Sequence, residues 1–184
     1  MKRFGLVMLA VALCVVVARP AMAQGLRYGV SAGLLLPMGN YGDVDKLGFT
    51  GGAGATYWLT GGAIGVRGDL SYSQSSHDAS SGLDGHTKIL GGMASVVYAL
   101  NPASAPARIM LTAGLGYYNV KIDDATIGSA SESKIAFGGG AAVAFKLGTG
   151  STRLVVGTRY TSVSTSGGSS LTFLPITVGL TFGK

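Results

Sequence analysis

Few residues in this chain of 184 can support acid–base or nucleophilic chemistry. The histidines are His77 and His86, and the single glutamate is Glu132. With a serine nearby, these residues would supply the nucleophile, base and orienting carboxylate of a hydrolase. Serines are abundant, so a nearby serine carries little information, and solvated loop residues are the better interpretation. The sequence therefore predicts no catalytic residues and no enzymatic activity.

The patterns that would bind a metal are equally weak. The two histidines are nine residues apart in a polar segment, which places no two ligands on one rigid element. Asp43 with Asp45, and Asp123 with Asp124, offer carboxylates to calcium, but each pair lacks the ligand number that calcium requires. Aspartate is common in turns, so we interpret both pairs as turn residues and predict no metal and no cofactor.

The elements that position these residues are eight segments in which apolar and polar side chains alternate. Strict alternation indicates β-strands with one apolar face. The predicted strands are Leu26–Leu36, Phe49–Leu59, Ala63–Gln74, Lys88–Leu100, Ile109–Val120, Lys134–Leu147, Arg153–Val163 and Leu171–Phe182.

Charged residues make up only 12% of the chain, which is too few for an ordinary water-soluble surface. Apart from an N-terminal signal, no apolar run is long enough for a membrane helix. Only a closed barrel then satisfies every backbone group inside a bilayer. We predict an all-β fold, an eight-stranded antiparallel up-and-down transmembrane β-barrel. A soluble lipocalin-like barrel is the alternative, but it would need a more highly charged exterior.

The connections and the aromatic residues fit such a barrel. Longer polar connections, predicted at Pro37–Gly48, Ser75–Thr87, Ile122–Ser133 and Ser164–Ser170, alternate with shorter ones. Outer-membrane barrels have long outer loops and short periplasmic turns, with aromatic belts at both interfaces. Most aromatic residues, including Trp58, Tyr118 and Phe173, fall near strand ends and are assigned to these belts. Pro175 lies inside the last strand, where we expect a bulge or a later strand start.

Three charged residues point into the predicted barrel. By parity Arg67 and Asp69 on the third strand and Arg159 on the seventh face inward. An eight-stranded barrel encloses little more than its own side chains, and buried charges require partners. We predict a charge network of Arg67, Asp69 and Arg159 that plugs the barrel. The alternative is a narrow water-filled pathway with an anion-favouring lining, because many other inward positions are Gly, Ala or Ser.

The N-terminus has the pattern of an export signal. Lys2 and Arg3 precede an apolar run, and Ala21-Met22-Ala23 is a cleavage site, so we predict a signal peptide over 1–23 and a barrel over 24–184. Cys14, the only cysteine, leaves with the signal. The mature charge is 11 − 8 = +3 with scattered basic residues, which does not support nucleic-acid binding.

The mature sequence resembles the small outer-membrane β-barrel family that includes OmpX-, OmpA- and OmpW-like proteins. The motifs that carry the resemblance are Pro37-x-Gly39-x-Tyr41-x-Asp43, Gly48-Phe49, Tyr57, Leu115-Gly116-Tyr117-Tyr118 and Val178-Gly179-Leu180-Thr181-Phe182. The resemblance implies a bacterial outer-membrane location, contact with membrane lipid and lipopolysaccharide, and insertion by the barrel assembly machinery. Such barrels usually end on an aromatic residue, whereas Gly183 and Lys184 follow Phe182 here.

The predicted function is a structural or surface-interaction role, in which a monomeric barrel presents extracellular loops to a ligand. A narrow passive channel for small polar or amphipathic solutes is the alternative. A lipid-modifying barrel enzyme that uses His77 or His86 with Glu132 is a weaker third hypothesis. Pairing of Arg67 with Asp69 would favour the first of these, because it would block a pore.

Overall fold

The computed structural model describes residues 25–59, 61–77, 85–124, 128–164 and 170–183. Eight strands form one closed barrel in which each strand pairs antiparallel with its sequence neighbours and β1 pairs with β8. The strands are β1 (Leu26–Met38), β2 (Gly48–Trp58), β3 (Ile64–Ser76), β4 (Gly85–Ala99), β5 (Ala107–Asp124), β6 (Gly128–Lys146), β7 (Arg153–Ser164) and β8 (Ser170–Phe182). The predicted fold is confirmed. The predicted signal peptide and Cys14 lie outside the described residues.

The two ends of the barrel differ in their connections. The inner end carries the start of β1, the end of β8 and the connections 59–63, 100–106 and 147–152. The outer end carries the connections 39–47, 77–84, 125–127 and 165–169. The outer end carries the longest connection, 39–47, and the extended hairpin of β5 and β6, which correspond to the long outer loops of outer-membrane barrels, so we assign the inner end, with both ends of the barrel chain, to the periplasm.

Alternation along the strands gives the barrel an apolar outer surface. Leu70, Leu90, Leu115 and Ile135 each expose 58–66% of their area, although large aliphatic side chains are normally buried. They lie on β3 to β6, and Val30 of β1 and Val178 of β8 are half exposed as well, so the exposed apolar surface continues on the other side of the barrel. Such a surface requires a lipid environment. Among the described residues, no helix is long and apolar enough to span a membrane.

The predicted loop Ile122–Ser133 is wrong, because most of it is strand. β5 runs to Asp124 and β6 begins at Gly128, and their ladder is continuous to the pair Asp124↔Gly128. The polar sequence was interpreted as a loop, but an alternation of polar residues also suits a strand whose two faces meet water. The outer end of the barrel therefore carries a long β-hairpin.

Three aromatic residues that were assigned to the membrane belts face the barrel interior. Tyr118 and Phe173 are 4% and 3% exposed, and their rings meet edge to face with centroids 6.1 Å apart. Trp58 lies inside at the inner end, where its ring covers Gly65 of β3. Nearness to a strand end suggested the belts, but parity decides which face a side chain takes.

Neither expected solution to Pro175 is found. β8 runs through Pro175, which keeps its place opposite Leu35 in the ladder with β1. The ladder between β7 and β8 stops at Thr158↔Ile176 and resumes three residues further along in the same register. Because proline has no N–H to donate, the ladder between β7 and β8 lacks two residue pairs here, and β8 accommodates Pro175 without a bulge.

An apolar cluster fills the outer half of the barrel, and we call it the plug. Its members are Leu35, Tyr41, Ile89, Met93, Tyr118, Val120, Ala136, Val163 and Phe173. Leu35, Ile89 and Val163 are at most 1% exposed, so side chains from three different strands pack together inside the barrel here. The Tyr118 ring lies flat against Gly91 of β4, where any side chain on Gly91 would collide with it.

Candidate functional site

The three charged residues predicted to face inward meet below the plug. Arg159 of β7 donates two hydrogen bonds to the Asp69 carboxylate, with Nη1–Oδ1 at 2.8 Å and Nη2–Oδ2 at 3.4 Å. Arg67 lies on the same strand as Asp69, and its Nε is 3.5 Å from Asp69 Oδ2. One carboxylate therefore serves two guanidinium groups, and the Arg159 pair joins β7 to β3 across the lumen.

A cavity of about 130 Å³ adjoins this charge network. Its polar lining includes Arg67, Asp69, Arg159, Thr177 and Thr181. Phe173 and Tyr118 of the plug also line it, so the cavity lies between the plug and the inner end. Small inward residues leave this space, as the sequence suggested, but the space is bounded on its outer side by apolar side chains.

The inner end holds three inward arginines, which we call the arginine mouth: Arg27 of β1, Arg108 of β5 and Arg153 of β7. Arg108 and Arg153 are only 5% and 7% exposed. Each arginine donates to a carbonyl of a different inner turn: Arg27 to Ser151 at 2.9 Å, Arg108 to Gly62, and Arg153 to Ala103 at 2.6 Å. The sequence has no Asp or Glu between 85 and 122 or after Glu132, so no acidic side chain of these stretches balances the mouth.

A tryptophan completes the arginine mouth. The Arg108 guanidinium stacks on the Trp58 ring, with its carbon 3.8 Å from the ring centroid. This geometry is a cation–π contact, and it is strongest where water is excluded. Sequence analysis missed Arg108 because the predicted fifth strand began two residues too late, whereas Arg153 was inside the predicted seventh strand but was not assigned to a face. Parity continued to the true strand ends would have found both.

The outer rim holds a buried polar cluster around His77. Asp45, in the connection after β1, forms an isolated β-bridge with His77, and both side chains are nearly inaccessible. His77 Nε2 lies 3.6 Å from Asp45 Oδ1 and 3.3 Å from Thr87 Oγ1. Asp45 is thus the buried partner of His77 and not an exposed turn residue, and His77 is not a solvated loop residue. These two interpretations of the sequence are wrong.

Electrostatics in the His77 cluster follow from its burial. Burial raises the pKa of the Asp45 carboxyl, while hydrogen bonds from Thr87 and Ser75 and the charge of His77 act in the opposite direction. Burial also raises the pKa of Tyr41, whose hydroxyl lies 2.6 Å from the Ser75 hydroxyl.

The geometry around His77 is not that of a catalytic triad. The Asp45 carboxylate and the Thr87 hydroxyl approach the same nitrogen of His77, Nε2. A catalytic triad needs them on opposite ring nitrogens, so the cluster does not form one.

The remaining predicted chemical residues do not converge. His86 Nε2 lies 3.4 Å from Asp123 Oδ2 across β4 and β5, and Lys121 Nζ lies 2.7 Å from Asp123 Oδ1. Glu132 pairs with Lys134 on its own strand at 3.1 Å. Asp123 is therefore a strand residue in an ion-pair group, and its assignment to a turn is wrong. No group of three potential metal ligands occurs within the described ranges.

Fold and surface together define a class of protein: a small transmembrane β-barrel of eight strands. The sequence model for the outer membrane protein beta-barrel domain matches residues 8–182. The chain belongs to this family, and it is a protein of the bacterial outer membrane. A search of curated protein sequences found no match.

Solved structures share the fold at low sequence identity. Neisserial surface protein A superposes with a TM-score of 0.64 at 16% identity, covering 88% of this chain and 98% of its own. Ail of Yersinia pestis gives 0.50 at 19% identity, with 86% and 97% covered. OprG of Pseudomonas aeruginosa gives 0.55 at 11% identity, with 87% and 97% covered. At these identities the likeness establishes the barrel fold.

Proposed function

We propose that this protein is a non-enzymatic, closed barrel that acts through its outer surface. The observation that carries this proposal is the plug, in which Leu35, Ile89 and Val163 are almost completely buried in the outer half of the lumen. The pair of Arg159 with Asp69 adds a polar crossing beneath it. A solute would have to displace both an apolar core and a buried ion pair to pass.

At the outer end, the hairpin of β5 and β6 extends beyond the neighbouring strand β7 and forms a wall that is available for contact with a partner. β6 continues through Gly128–Ile135 beyond Ala136↔Val163, its last described pair with β7. On this wall Asn119 donates to Ser131 at 2.9 Å and to Ser133 at 2.8 Å, so its outward face is polar. The hairpin of β5 and β6 is therefore the element we expect to meet a ligand, with a single barrel in the membrane as the acting unit.

The charge of the outer end bears on the chemistry of such a ligand. By sequence the outer connections and strand ends carry 4 − 7 = −3, from Lys46, Lys88, Lys121 and Lys134 against Asp43, Asp45, Asp78, Asp84, Asp123, Asp124 and Glu132. Ail has been crystallised with the heparin analogue sucrose octasulfate. A net negative outer end does not favour a sulfated ligand, so we expect neutral or cationic partners, and no retention on immobilised heparin at physiological salt.

Conductance in a planar bilayer tests whether the lumen is closed. We expect the folded wild-type protein to insert and stay silent. Replacing Leu35, Ile89 and Phe173 together with alanine should produce discrete steps, because it removes the centre of the plug. The matched control replaces Leu70, Leu90 and Ile135, which face lipid, and should stay silent.

Two outcomes would overturn this proposal. Discrete steps from the wild type that change with Arg159→Gln would establish the alternative, a narrow channel lined by the charge network. A plug variant that is folded and inserted but silent would show that the apolar cluster does not close the lumen.

A further inference from the structure

The arginine mouth has more hydrogen-bond donors than the protein satisfies. Arginine carries five N–H donors, yet Arg27 and Arg108 each make one hydrogen bond within the described part of the chain. In the same part of the chain, Arg108 Nε and Trp58 Nε1 are buried and have no hydrogen-bond partner. Buried donors are normally satisfied, and these two atoms belong to the same stacked pair at the inner end.

The arginine mouth also carries an excess of positive charge. Arg27, Arg108 and Arg153 all reach turns at the same end of the barrel, so three positive charges gather there. Their described partners are backbone carbonyls, which are neutral, whereas Arg67 and Arg159 share Asp69. A cluster of like charges and unused donors is stabilised by a group that brings negative charge and several acceptor atoms.

We propose that the arginine mouth, with Trp58, binds a free, multiply charged oxyanion such as phosphate from the periplasmic side. Guanidinium groups match the oxygen geometry of phosphate by paired N–H donors, and the indole N–H adds a further donor. The three arginines point into the lumen and away from lipid, so the ligand is a soluble anion and no lipid headgroup. Because the plug lies beyond the mouth, the anion binds and does not cross.

Trp58 makes this proposal directly measurable, because it is the only tryptophan in the chain. Inorganic phosphate is titrated into the detergent-folded full chain at constant ionic strength, with sodium chloride as the balancing salt. Tryptophan emission and phosphate calorimetry are recorded in parallel. We expect a saturable change in both signals, which chloride alone does not produce.

Two variants of equal charge change separate the mouth from the rest of the barrel. Arg153→Gln leaves the Arg108–Trp58 stack in place and should weaken phosphate binding at least tenfold. Lys134→Gln removes one positive charge at the outer end and should change the affinity less than twofold. A folded Arg153→Gln variant is confirmed by an unchanged strand signal in circular dichroism, and Arg27→Gln provides a second test should Arg153→Gln fail to fold.

Three results would overturn the proposal. The first is a wild-type response that is linear and equal to that of chloride. The second is an equal loss of affinity in Arg153→Gln and Lys134→Gln. The third is binding of monomeric dihexanoyl phosphatidylglycerol in the absence of any response to inorganic phosphate, which would identify a lipid headgroup as the ligand.

Discussion

The outer and inner halves of the lumen satisfy their buried groups in different ways. The outer half packs apolar side chains against each other, and at its rim Asp45 lies against His77 and Asp123 against Lys121. The inner half holds arginines that donate to turn carbonyls. Asp69, in the middle, is the last acidic residue toward the inner end. One barrel wall thus encloses two environments, one apolar and closely packed, the other polar and positively charged.

The first way to test this difference is to place the same charge in both halves. Leu35→Glu buries a carboxylate in the plug, where nothing compensates it, and we expect a loss of about 3–5 kcal/mol in the free energy of unfolding. Thr181→Glu is also inward but lies opposite Arg153 in the ladder, so it should cost less than about 1 kcal/mol or stabilise the barrel. Urea unfolding in detergent measures both, and equal losses would refute the distinction.

The boundary between the halves is tested at Asp69. Asp69→Asn leaves Arg67 and Arg159 without their shared carboxylate, and we expect a loss of about 3 kcal/mol because the group is partly buried. Arg67→Gln keeps the bidentate pair of Asp69 with Arg159 and should cost about 1 kcal/mol. The same unfolding measurement compares the two. A larger loss in Arg67→Gln would mean that Arg67, and not Arg159, holds the carboxylate.

The architecture could be predicted from sequence because strand parity depends on neighbouring residues only. Alternation alone placed Arg67, Asp69 and Arg159 on one face, and the closed sheet brings them together. Alternation could have placed Arg27 and Arg153 on the inner face in the same way, but Arg108 lay outside the predicted fifth strand, and its stacking on Trp58 depends on strand registers that alternation does not give. The burial of His77 was not predicted either, because its partner Asp45 lies in a different connection and the local sequence does not indicate that either side chain is buried.

A pH series tests whether the outer rim is as dry as the plug. Burial raises the pKa of Asp45 from its usual 3.8, so the folded state favours the protonated carboxyl. The stability this gives is complete below about pH 4 and is lost as pH rises through the raised pKa. Asp45→Asn cannot ionise. We therefore expect its stability relative to the wild type to improve from about pH 4 to pH 7.

Thermal unfolding of the detergent-folded proteins across that range measures the difference. Asp43→Asn is the matched control, because Asp43 lies in the same connection but its side chain is not part of the His77 cluster. A difference between Asp45→Asn and wild type that does not change with pH would mean that solvent reaches the carboxylate.

The smallest effect is expected at the exposed pairs of the outer hairpin. Lys134 and Glu132 are joined at 3.1 Å with side chains 32% and 43% exposed. Solvent and salt screen such a pair, so Lys134→Gln should cost less than about 1 kcal/mol, and the loss should fade in 1 M salt. Arg153→Gln at the inner end should behave differently, because Arg153 is 7% exposed and bonds to carbonyls, so its loss should persist in 1 M salt. Unfolding at low and high salt compares the two variants. If 1 M salt reduces both losses equally, water reaches the arginine mouth as freely as it reaches the hairpin, and the inner half is not an enclosed site.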